Sequence, residues 1–257
     1  MRQWILLSVV LVGASYEGWT LFQRHREDIW ITAYSQGCTA FTAGKYADAE
    51  QILAAALPQT EQWWPHGSEL VDNLRVLAMS YRAEHKYDQA KPLFERALEL
   101  STNVSSADDP MSLGRIKMGL AVIARDEGDD EKADKLFSEA FTIFEKNPDA
   151  ALGDDASTML NLGYLRGEQG RYAEAETMLT RAIARFEVLS KPSLRRDLAN
   201  AHFQLADTYR RESRYADAAK QYQTSLVAET FIPFFNPQAS LSSPLTVIFW
   251  PSGMVNF

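Results

Sequence analysis

An alanine recurs along this chain at intervals of 41, 43, 42 and 43 residues. Each copy is followed four positions later by a large apolar residue, and three positions after that by a small one. The alanines are Ala49, Ala90, Ala133, Ala175 and Ala218, the large residues Leu53, Phe94, Phe137, Leu179 and Tyr222, and the small ones Ala56, Ala97, Ala140, Ala182 and Ser225. A fixed period of this size is typical of a solenoid, in which each structural repeat packs only on its neighbours.

One repeat can be interpreted as two helices folded back on each other. In the stretch 156–186, apolar and small residues lie on one face of each half at the three-and-four spacing of an amphipathic helix: Met159, Leu162 and Gly163, then Ala175, Leu179 and Ala182. Gly170 separates the halves, because glycine readily takes the positive φ that ends a helix. The pattern predicts five helical hairpins, at roughly 29–57, 70–100, 113–144, 156–186 and 198–228.

The bends and the helices around them resemble a known family. The bends read Gly44-Lys45-Tyr46, His85-Lys86-Tyr87, Gly128-Asp129-Asp130, Gly170-Arg171-Tyr172 and Ser213-Arg214-Tyr215. The segments QAKPLFERAL (89–98) and LNLGYLRGEQGRYAEAE (160–176) resemble the tetratricopeptide repeat, and more narrowly the kinesin-light-chain variant with its pattern LNNLAxLYxxQGKYxEAEPLYxRAL. The resemblance covers roughly 29–228 and departs from the pattern at His85, Asp130, Arg166 and Ser213. It implies an all-α, right-handed superhelical solenoid of five helix-turn-helix repeats.

The N-terminus leaves three interpretations open. A basic start at Arg2, an apolar run from Trp4 to Val12 and small residues after it are the parts of a cleaved secretory signal. If the apolar segment extends to Phe22, it just spans the ~30 Å core of a bilayer as an uncleaved anchor. The third interpretation is an ordinary buried first helix. We assign residues 1–26 to a signal or membrane-anchor segment, and expect a membrane-anchored or exported, periplasmic or otherwise extracytoplasmic protein rather than a cytoplasmic one.

The composition changes abruptly after Thr230. Residues 231–257 contain no charged residue, and their four prolines exclude a long helix. This tail is an apolar cover for the last repeat, a segment that inserts against a membrane or partner, or an aberrant end produced by a shifted reading frame. The abruptness of the change favours the last. We therefore assign residues 27–230 to the solenoid and residues 231–257 to a separate Pro/aromatic-rich tail.

The sequence contains no recognisable catalytic or metal-binding constellation. No two of its four histidines share a helical face at ligand spacing. The single cysteine, Cys38, excludes an internal disulfide and has no histidine or basic residue nearby in sequence to activate it. A net charge of -8 argues against general nucleic-acid binding. We predict a protein that is not an enzyme and needs no cofactor or metal; its oligomeric state stays open.

The inner surface of the predicted solenoid carries the functional hypothesis. In tetratricopeptide arrays the first helix of each hairpin lines a concave groove, and the resemblance implies the same here. The residues expected to face it are Arg75, Met79 and Arg82, then Arg115, Met118, Val122 and Arg125, then Asn161 and Tyr164, and last Phe203, Asp207 and Arg210. Because the planar guanidinium fork suits carboxylates, these arginines predict a basic ridge that binds an acidic or C-terminal peptide. The alternative is a solvated helix face with intrahelical pairs such as Asp72 to Arg75.

We therefore predict a protein–protein interaction scaffold that binds a partner peptide or protein in this groove. Two alternatives are a structural, membrane-tethered assembly or envelope factor, and a recruiting or regulatory subunit of an enzyme complex. Trp63 and Trp64 lie in the predicted first linker, 58–67. They either pack over the neighbouring hairpin or provide an exposed partner contact.

Overall fold

The computed structural model describes residues 2–103, 109–151 and 153–230, with the side chains of residues 18–102, 109–151, 153–191 and 193–228. These residues form eleven α-helices and a 3-10 turn at Pro192–Leu194, and no strand occurs among them. The helices are α1 (Arg2–Thr42), α2 (Tyr46–Trp63), α3 (Ser68–Ala83), α4 (Tyr87–Asn103), α5 (Pro110–Asp126), α6 (Asp130–Glu145), α7 (Pro148–Ala151), α8 (Asp154–Glu168), α9 (Tyr172–Leu189), α10 (Arg195–Arg211) and α11 (Tyr215–Thr230).

Five hairpins form as predicted, and together they build a right-handed superhelical solenoid. They are α1/α2, α3/α4, α5/α6, α8/α9 and α10/α11, each closed by a short bend. One residue of every bend has a positive φ: Gly44 at 76°, His85 at 59°, Gly128 at 83°, Gly170 at 75° and Ser213 at 62°. His85 and Ser213 therefore keep the backbone geometry of the family pattern, although they are not glycines. A positive φ is a strained conformation for a residue with a Cβ.

The repeating residues of the sequence form the core. Ala49, Ala90, Ala133 and Ala175 are fully buried, as are the large residues four positions after them. Within a hairpin, Gly163 of α8 lies so close to Leu179 of α9 that a Cβ would stand 2.5 Å from the leucine Cγ. The small and large residues of the repeat thus interlock, which explains why both recur at the same period.

The first linker is shorter than predicted. α2 continues through Pro58 and ends at Trp63, so the predicted break at Pro58 is wrong. A proline inside a helix removes one backbone hydrogen bond. Here the packing of Leu57 in the core and the burial of Thr60 hold the helix together on both sides of it.

Trp63 and Trp64 pack against α1 of their own hairpin instead of the neighbouring one. The guanidinium of Arg26 lies 4.6 Å from the ring centre of Trp64 and 5.5 Å from that of Trp63. Trp64 also contacts Trp30, with ring centres 6.2 Å apart. Both tryptophans are half-buried, so they help to join α1 to the end of α2.

α1 is one continuous helix across the predicted boundary at residue 26. In the part of the chain whose structure is described, no helix is long and apolar enough to cross a bilayer. The side chains of the apolar run from Trp4 to Val12 are not among those described, and the predicted tail, 231–257, lies outside the described residues. The assignments of both ends and of the location in the cell stay predictions.

Candidate binding groove

Two adjoining cavities open on the first helices of hairpins two to five. The larger, about 490 Å³, is lined by Arg125, Asp126, Ser157, Leu160, Asn161, Tyr164, Asp197, Asn200 and Gln204. The smaller, about 230 Å³, is lined by Met79, Arg82, Arg115, Met118, Gly119, Val122, Arg125, Ser157 and Asn161. Arg125, Ser157 and Asn161 line both cavities, which therefore adjoin, and we call the two together the binding groove.

Most of the predicted groove residues come together here. The structure places these in the lining: Met79, Arg82, Arg115, Met118, Val122, Arg125, Asn161 and Tyr164. They lie on α3, α5 and α8, the first helices of their hairpins. The inner-surface assignment made from the sequence therefore describes the second, third and fourth repeats.

Arg125 is held at the point where the two cavities meet. Its Nε and Nη2 donate to Oδ1 of Asp126 at 3.0 and 2.8 Å, and its Nη1 donates to Oδ1 of Asn161 at 2.8 Å. Its guanidinium lies 5.6 Å from the ring centre of Tyr164. The amide of Asn161 in turn donates to the Ser157 carbonyl at 2.7 Å. Arg125 and Asn161 thus form a preorganised wall that joins α5 to α8.

Arg115 is also paired within the protein. Its Nε donates to Oδ2 of Asp154 at 2.7 Å, and both side chains are about a quarter exposed. This pair links α5 to the start of α8, so its charge is balanced before any ligand binds.

Arg82 differs from these two arginines. Its guanidinium forms no hydrogen bond or ion pair with the described residues, and its buried Nε has no acceptor. Burial lowers the pKa of the Arg82 guanidinium, and the charge of Arg125 lowers it further. An arginine nevertheless stays protonated in proteins, so Arg82 contributes a positive charge that is not paired internally.

Arg75 was predicted to face the groove, and this prediction is wrong. The side chain is only 7% exposed. It donates to Oδ1 of Asp72 at 2.8 Å, to Tyr34 Oη at 3.0 Å and, from Nε, to Ser112 Oγ at 3.1 Å. Because these partners lie on α1, α3 and α5, Arg75 ties three helices together. The alternative interpretation predicted the Asp72–Arg75 pair correctly. It was wrong about a solvated helix face, because the Arg75 side chain is buried.

Phe203 and Arg210 of α10 do not line either cavity. Phe203 is 49% exposed and packs edge-on against Tyr222 of α11, with ring centres 5.4 Å apart. Arg210 pairs with Asp207 of its own helix at 2.5 Å. In the fifth repeat the residues that line the groove are instead Asp197, Asn200 and Gln204.

The period itself could have found the missed residues. Ala175 and Ala218 are equivalent core positions, and the same 43-residue step carries Ser157 to Asn200 and Asn161 to Gln204. Burial raises the pKa of Asp197. The end of the groove on α10 is therefore lined by amides and a carboxylate, and the prediction of a basic ridge along the whole inner surface is wrong.

The described residues contain no group of three or more histidine, cysteine, aspartate or glutamate side chains that could hold a metal ion. Ion pairs, amides and thioethers line the groove instead. This chemistry suits recognition of another molecule by hydrogen bonds, charge and apolar contact. The expected lack of a cofactor stays a prediction.

Comparison with known families is consistent with the geometry. Three family models, each describing a tetratricopeptide repeat, match residues 74–110, 112–187 and 160–230, which together make up more than half of the chain. The chain belongs to the tetratricopeptide repeat family. A search of curated protein sequences found no match for this tetratricopeptide repeat protein.

Solved structures show the same fold. BtubC (BKLC) from P. vanneervenii is similar with a TM-score of 0.64 and 20% identity, over 88% of this chain and 94% of that one. A variant of a putative kinesin light chain from Podosopora anserina, with nearly identical repeats, has a TM-score of 0.58 and 15% identity, over 77% and 93%. A Rap protein complexed with competence and sporulation factor has a TM-score of 0.57 and 14% identity, over 80% and 64%. The predicted likeness to kinesin-light-chain repeats is confirmed at the level of fold.

Proposed function

We propose that this tetratricopeptide repeat protein is an interaction scaffold that binds an extended, acidic segment of a partner protein in the binding groove. The observation that carries the proposal is the wall shared by the two cavities. Arg125, Ser157 and Asn161 line both cavities, and the groove extends across α3, α5, α8 and α10. A groove of this length accommodates a chain segment better than a compact small molecule.

The acidic character of the segment rests on the excess of positive charge at the α3 end. Arg82 lies near Arg125 and Asp126, and Asp126 is already hydrogen-bonded to Arg125. An incoming carboxylate balances the remaining charge. At the α10 end, Asn200 and Gln204 supply amides that can pair with the backbone of a bound chain.

Charge alone does not provide useful affinity. Partly exposed ion pairs contribute about 0.2 to 1 kcal/mol each, whereas micromolar binding needs about 8 kcal/mol. Met79, Met118 and Tyr164 line the groove and offer apolar surface that a ligand can bury. We therefore expect weak to moderate affinity, for a segment that mixes acidic and apolar residues.

The Rap protein of similar fold was solved with a bound factor, which supports the proposal that a solenoid of this type can carry a ligand. The two alternatives from the sequence, a structural envelope factor and a recruiting subunit of an enzyme complex, differ in what they require of the groove. A structural factor keeps its function when the groove is blocked. A recruiting subunit loses the activity of its enzyme partner.

The proposal is tested by selecting peptides from a displayed random library on the full-length protein, and by measuring their affinity for two variants. Asn161→Glu places bulk and negative charge where the two cavities meet. Thr177→Glu makes the same change in charge at an exposed position of α9, the outer helix of the same hairpin. Circular dichroism first establishes that both variants keep the helicity of the parent.

We expect enrichment of acidic peptides whose affinity falls at least ten-fold on Asn161→Glu and stays unchanged on Thr177→Glu. Peptides that bind both variants like the parent would show that the groove is not the binding surface. Enrichment of peptides without acidic residues would overturn the assigned ligand class.

A further inference from the structure

We propose that Arg82 binds one acidic side chain of the bound segment, and that an apolar residue adjacent to it in that segment packs against Met79 and Met118. This inference rests on the proposed function and assigns one position within it. It identifies the partner by a local pattern, a carboxylate-bearing residue next to a large aliphatic one.

Arg82 differs from the two arginines at equivalent positions in other repeats. Arg82, Arg125 and Arg210 precede their bends by the same number of residues. Arg125 pairs with Asp126, the next residue, and Arg210 pairs with Asp207, three residues before it. At the corresponding positions around Arg82 the sequence has Ala83 and Met79. The second repeat therefore lacks both of the aspartates that balance its counterparts.

The nearby carboxylate of Asp126 is hydrogen-bonded to residues other than Arg82. Oδ1 of Asp126 accepts hydrogen bonds from Arg125, and Oδ2 accepts one from Tyr87 Oη at 2.6 Å. Asp126 is thus bonded to Arg125 and Tyr87, and it forms no hydrogen bond or ion pair with Arg82. The guanidinium groups of Arg82 and Arg125 thus have one carboxylate near them, that of Asp126. One positive charge is left for a ligand to balance.

Arg82 also has an unsatisfied hydrogen-bond donor. A buried polar group without a partner is costly, and native proteins keep few of them. The Nε of Arg82 is such a group, and Arg82 lines the smaller cavity of the groove. A ligand acceptor that enters this cavity can accept a hydrogen bond from Nε and so remove the cost of the unsatisfied donor. Part of the binding free energy therefore comes from this hydrogen bond.

The size and lining of the cavity favour a side chain over a chain terminus. The cavity, of about 230 Å³, is large enough to hold several water molecules. That is room for a carboxylate on a short stem beside an aliphatic group. A terminal residue would also have to bring its own backbone into this space. Met79 and Met118 are flexible apolar side chains that adapt to the neighbouring group.

The experiment follows the arginine Nε–H resonances of the ¹⁵N-labelled full-length protein by NMR, with the Arg82 signal assigned from an Arg82→Gln variant. Three probes are titrated: acetyl-Gly-Leu-Glu-Gly-amide, its Gln counterpart, and acetyl-Gly-Leu with a free terminal carboxylate. Because charge-assisted hydrogen bonds are substantially stronger than neutral ones, we expect the Glu peptide to saturate the Arg82 shift at a concentration at least about ten-fold lower than the Gln peptide.

A matched pair of variants separates charge from shape. Ala83→Asp supplies Arg82 with the internal partner that Arg125 already has, and we expect it to abolish the preference for Glu. Ala83→Asn has nearly the same shape without the charge, and we expect it to retain the preference. Arg210→Gln changes the equivalent arginine that is already paired, and we expect no effect on the Arg82 signal.

Stability provides a second readout. Replacing an arginine that stabilises the fold is expected to lower the stability of the protein, and we expect this for Arg75. For Arg82→Met we expect unfolding at the same temperature as the parent or higher, because a partly buried charge with an unsatisfied Nε is removed. A large loss of stability would show that Arg82 has an internal role and would overturn the proposal.

The remaining outcomes are equally decisive. Equal affinity for the Glu and Gln peptides, or shifts spread evenly over all arginines, would overturn the site. Tighter binding of the terminal carboxylate would overturn the choice of an internal acidic side chain. If these tests fail while the display selection still yields groove-binding peptides, only the Arg82 site is wrong. If the preference is found but no selected peptide depends on the groove, the proposed function is wrong.

Discussion

The phenol of Tyr87 donates a 2.6 Å hydrogen bond to Oδ2 of Asp126, across the boundary between the second and third hairpins. The same phenol lies 2.9 Å from Nδ1 of His85 in the bend before it. The contact joins α4 to the end of α5 and gives Oδ2 of Asp126 a donor other than Arg82. It therefore contributes both to the packing of two repeats and to the charge of the binding groove.

Replacing this phenol tests both contributions. We expect Tyr87→Phe to lower the free energy of unfolding by about 1 kcal/mol through loss of the hydrogen bond. We also expect a reduced preference for the Glu peptide, because Oδ2 of Asp126 loses a competing donor and becomes a better acceptor for Arg82. Urea unfolding and the NMR titration measure the two effects. Tyr172→Phe is the control, since the hydroxyl of Tyr172 has no hydrogen bond among the described residues; an equal loss there would refute the assignment.

Arg75 is expected to be a structural residue. Arg75→Met leaves Asp72 without its cation and removes the bonds to Tyr34 and Ser112, so we expect a loss of about 3 kcal/mol in the free energy of unfolding. Arg210→Met removes an exposed intrahelical pair, and we expect no measurable change. Circular dichroism during urea unfolding compares them. Similar stabilities for the two variants would contradict the structural role of Arg75.

Gly119 provides a test of packing between repeats. A Cβ at this position would overlap the ring of Phe94, which is fully buried. We expect Gly119→Ala to cost about 1 to 3 kcal/mol of stability, as overpacking of a core does. Phe94→Leu in the same chain should recover part of this loss, because it shortens the opposing side chain. Gly18→Ala, at a helical position with nothing within 4 Å, serves as the control and should not destabilise the protein.

Ser213 occupies the left-handed bend position with a φ of 62°. Since glycine takes this conformation without the penalty that a Cβ brings, Ser213→Gly should stabilise the protein by about 1 kcal/mol. Gly170→Ala makes the opposite change in the preceding hairpin and should destabilise by a similar amount. Thermal unfolding measures both; a lower melting temperature for Ser213→Gly would contradict the assignment of strain to this bend.

Tyr209 makes stability depend on pH in the alkaline range. Burial, together with its 2.8 Å hydrogen bond to Oε1 of Glu176, raises the pKa of Tyr209 to about 12 from 10.0. Because the folded pKa lies above the unfolded one, the stabilisation is complete below pH 10 and is lost as the pH rises from 10 through about 12. Urea unfolding at pH 9, 10 and 11 should show a shallower decline for Tyr209→Phe than for the parent. Identical declines would show that this phenol does not contribute.

The groove was only partly predictable. Met79, Met118 and Asn161 were placed correctly because inner positions repeat with the same period as the core. Phe203 and Arg210 occupy the slots equivalent to Met118 and Arg125, but Phe203 packs on Tyr222 and Arg210 pairs with Asp207. The α10 residues that do line the groove, Asn200 and Gln204, are one period after Ser157 and Asn161. Arg75 was misplaced because its burial depends on Tyr34 and Ser112, which are 41 and 37 residues away in the chain.

By itself, the sequence determined the five hairpins, their bends and the residues of their core. These features depend on local patterns, namely apolar residues at helical spacing and a bend residue with positive φ, and they are legible within a single repeat. Only the tertiary structure decided which charges are free. Arg115 reaches Asp154 and Tyr87 reaches Asp126 across 39 residues each, nearly one full repeat. Such pairing depends on how one repeat is rotated against the next, because a small change in that rotation brings a different side chain within hydrogen-bonding distance.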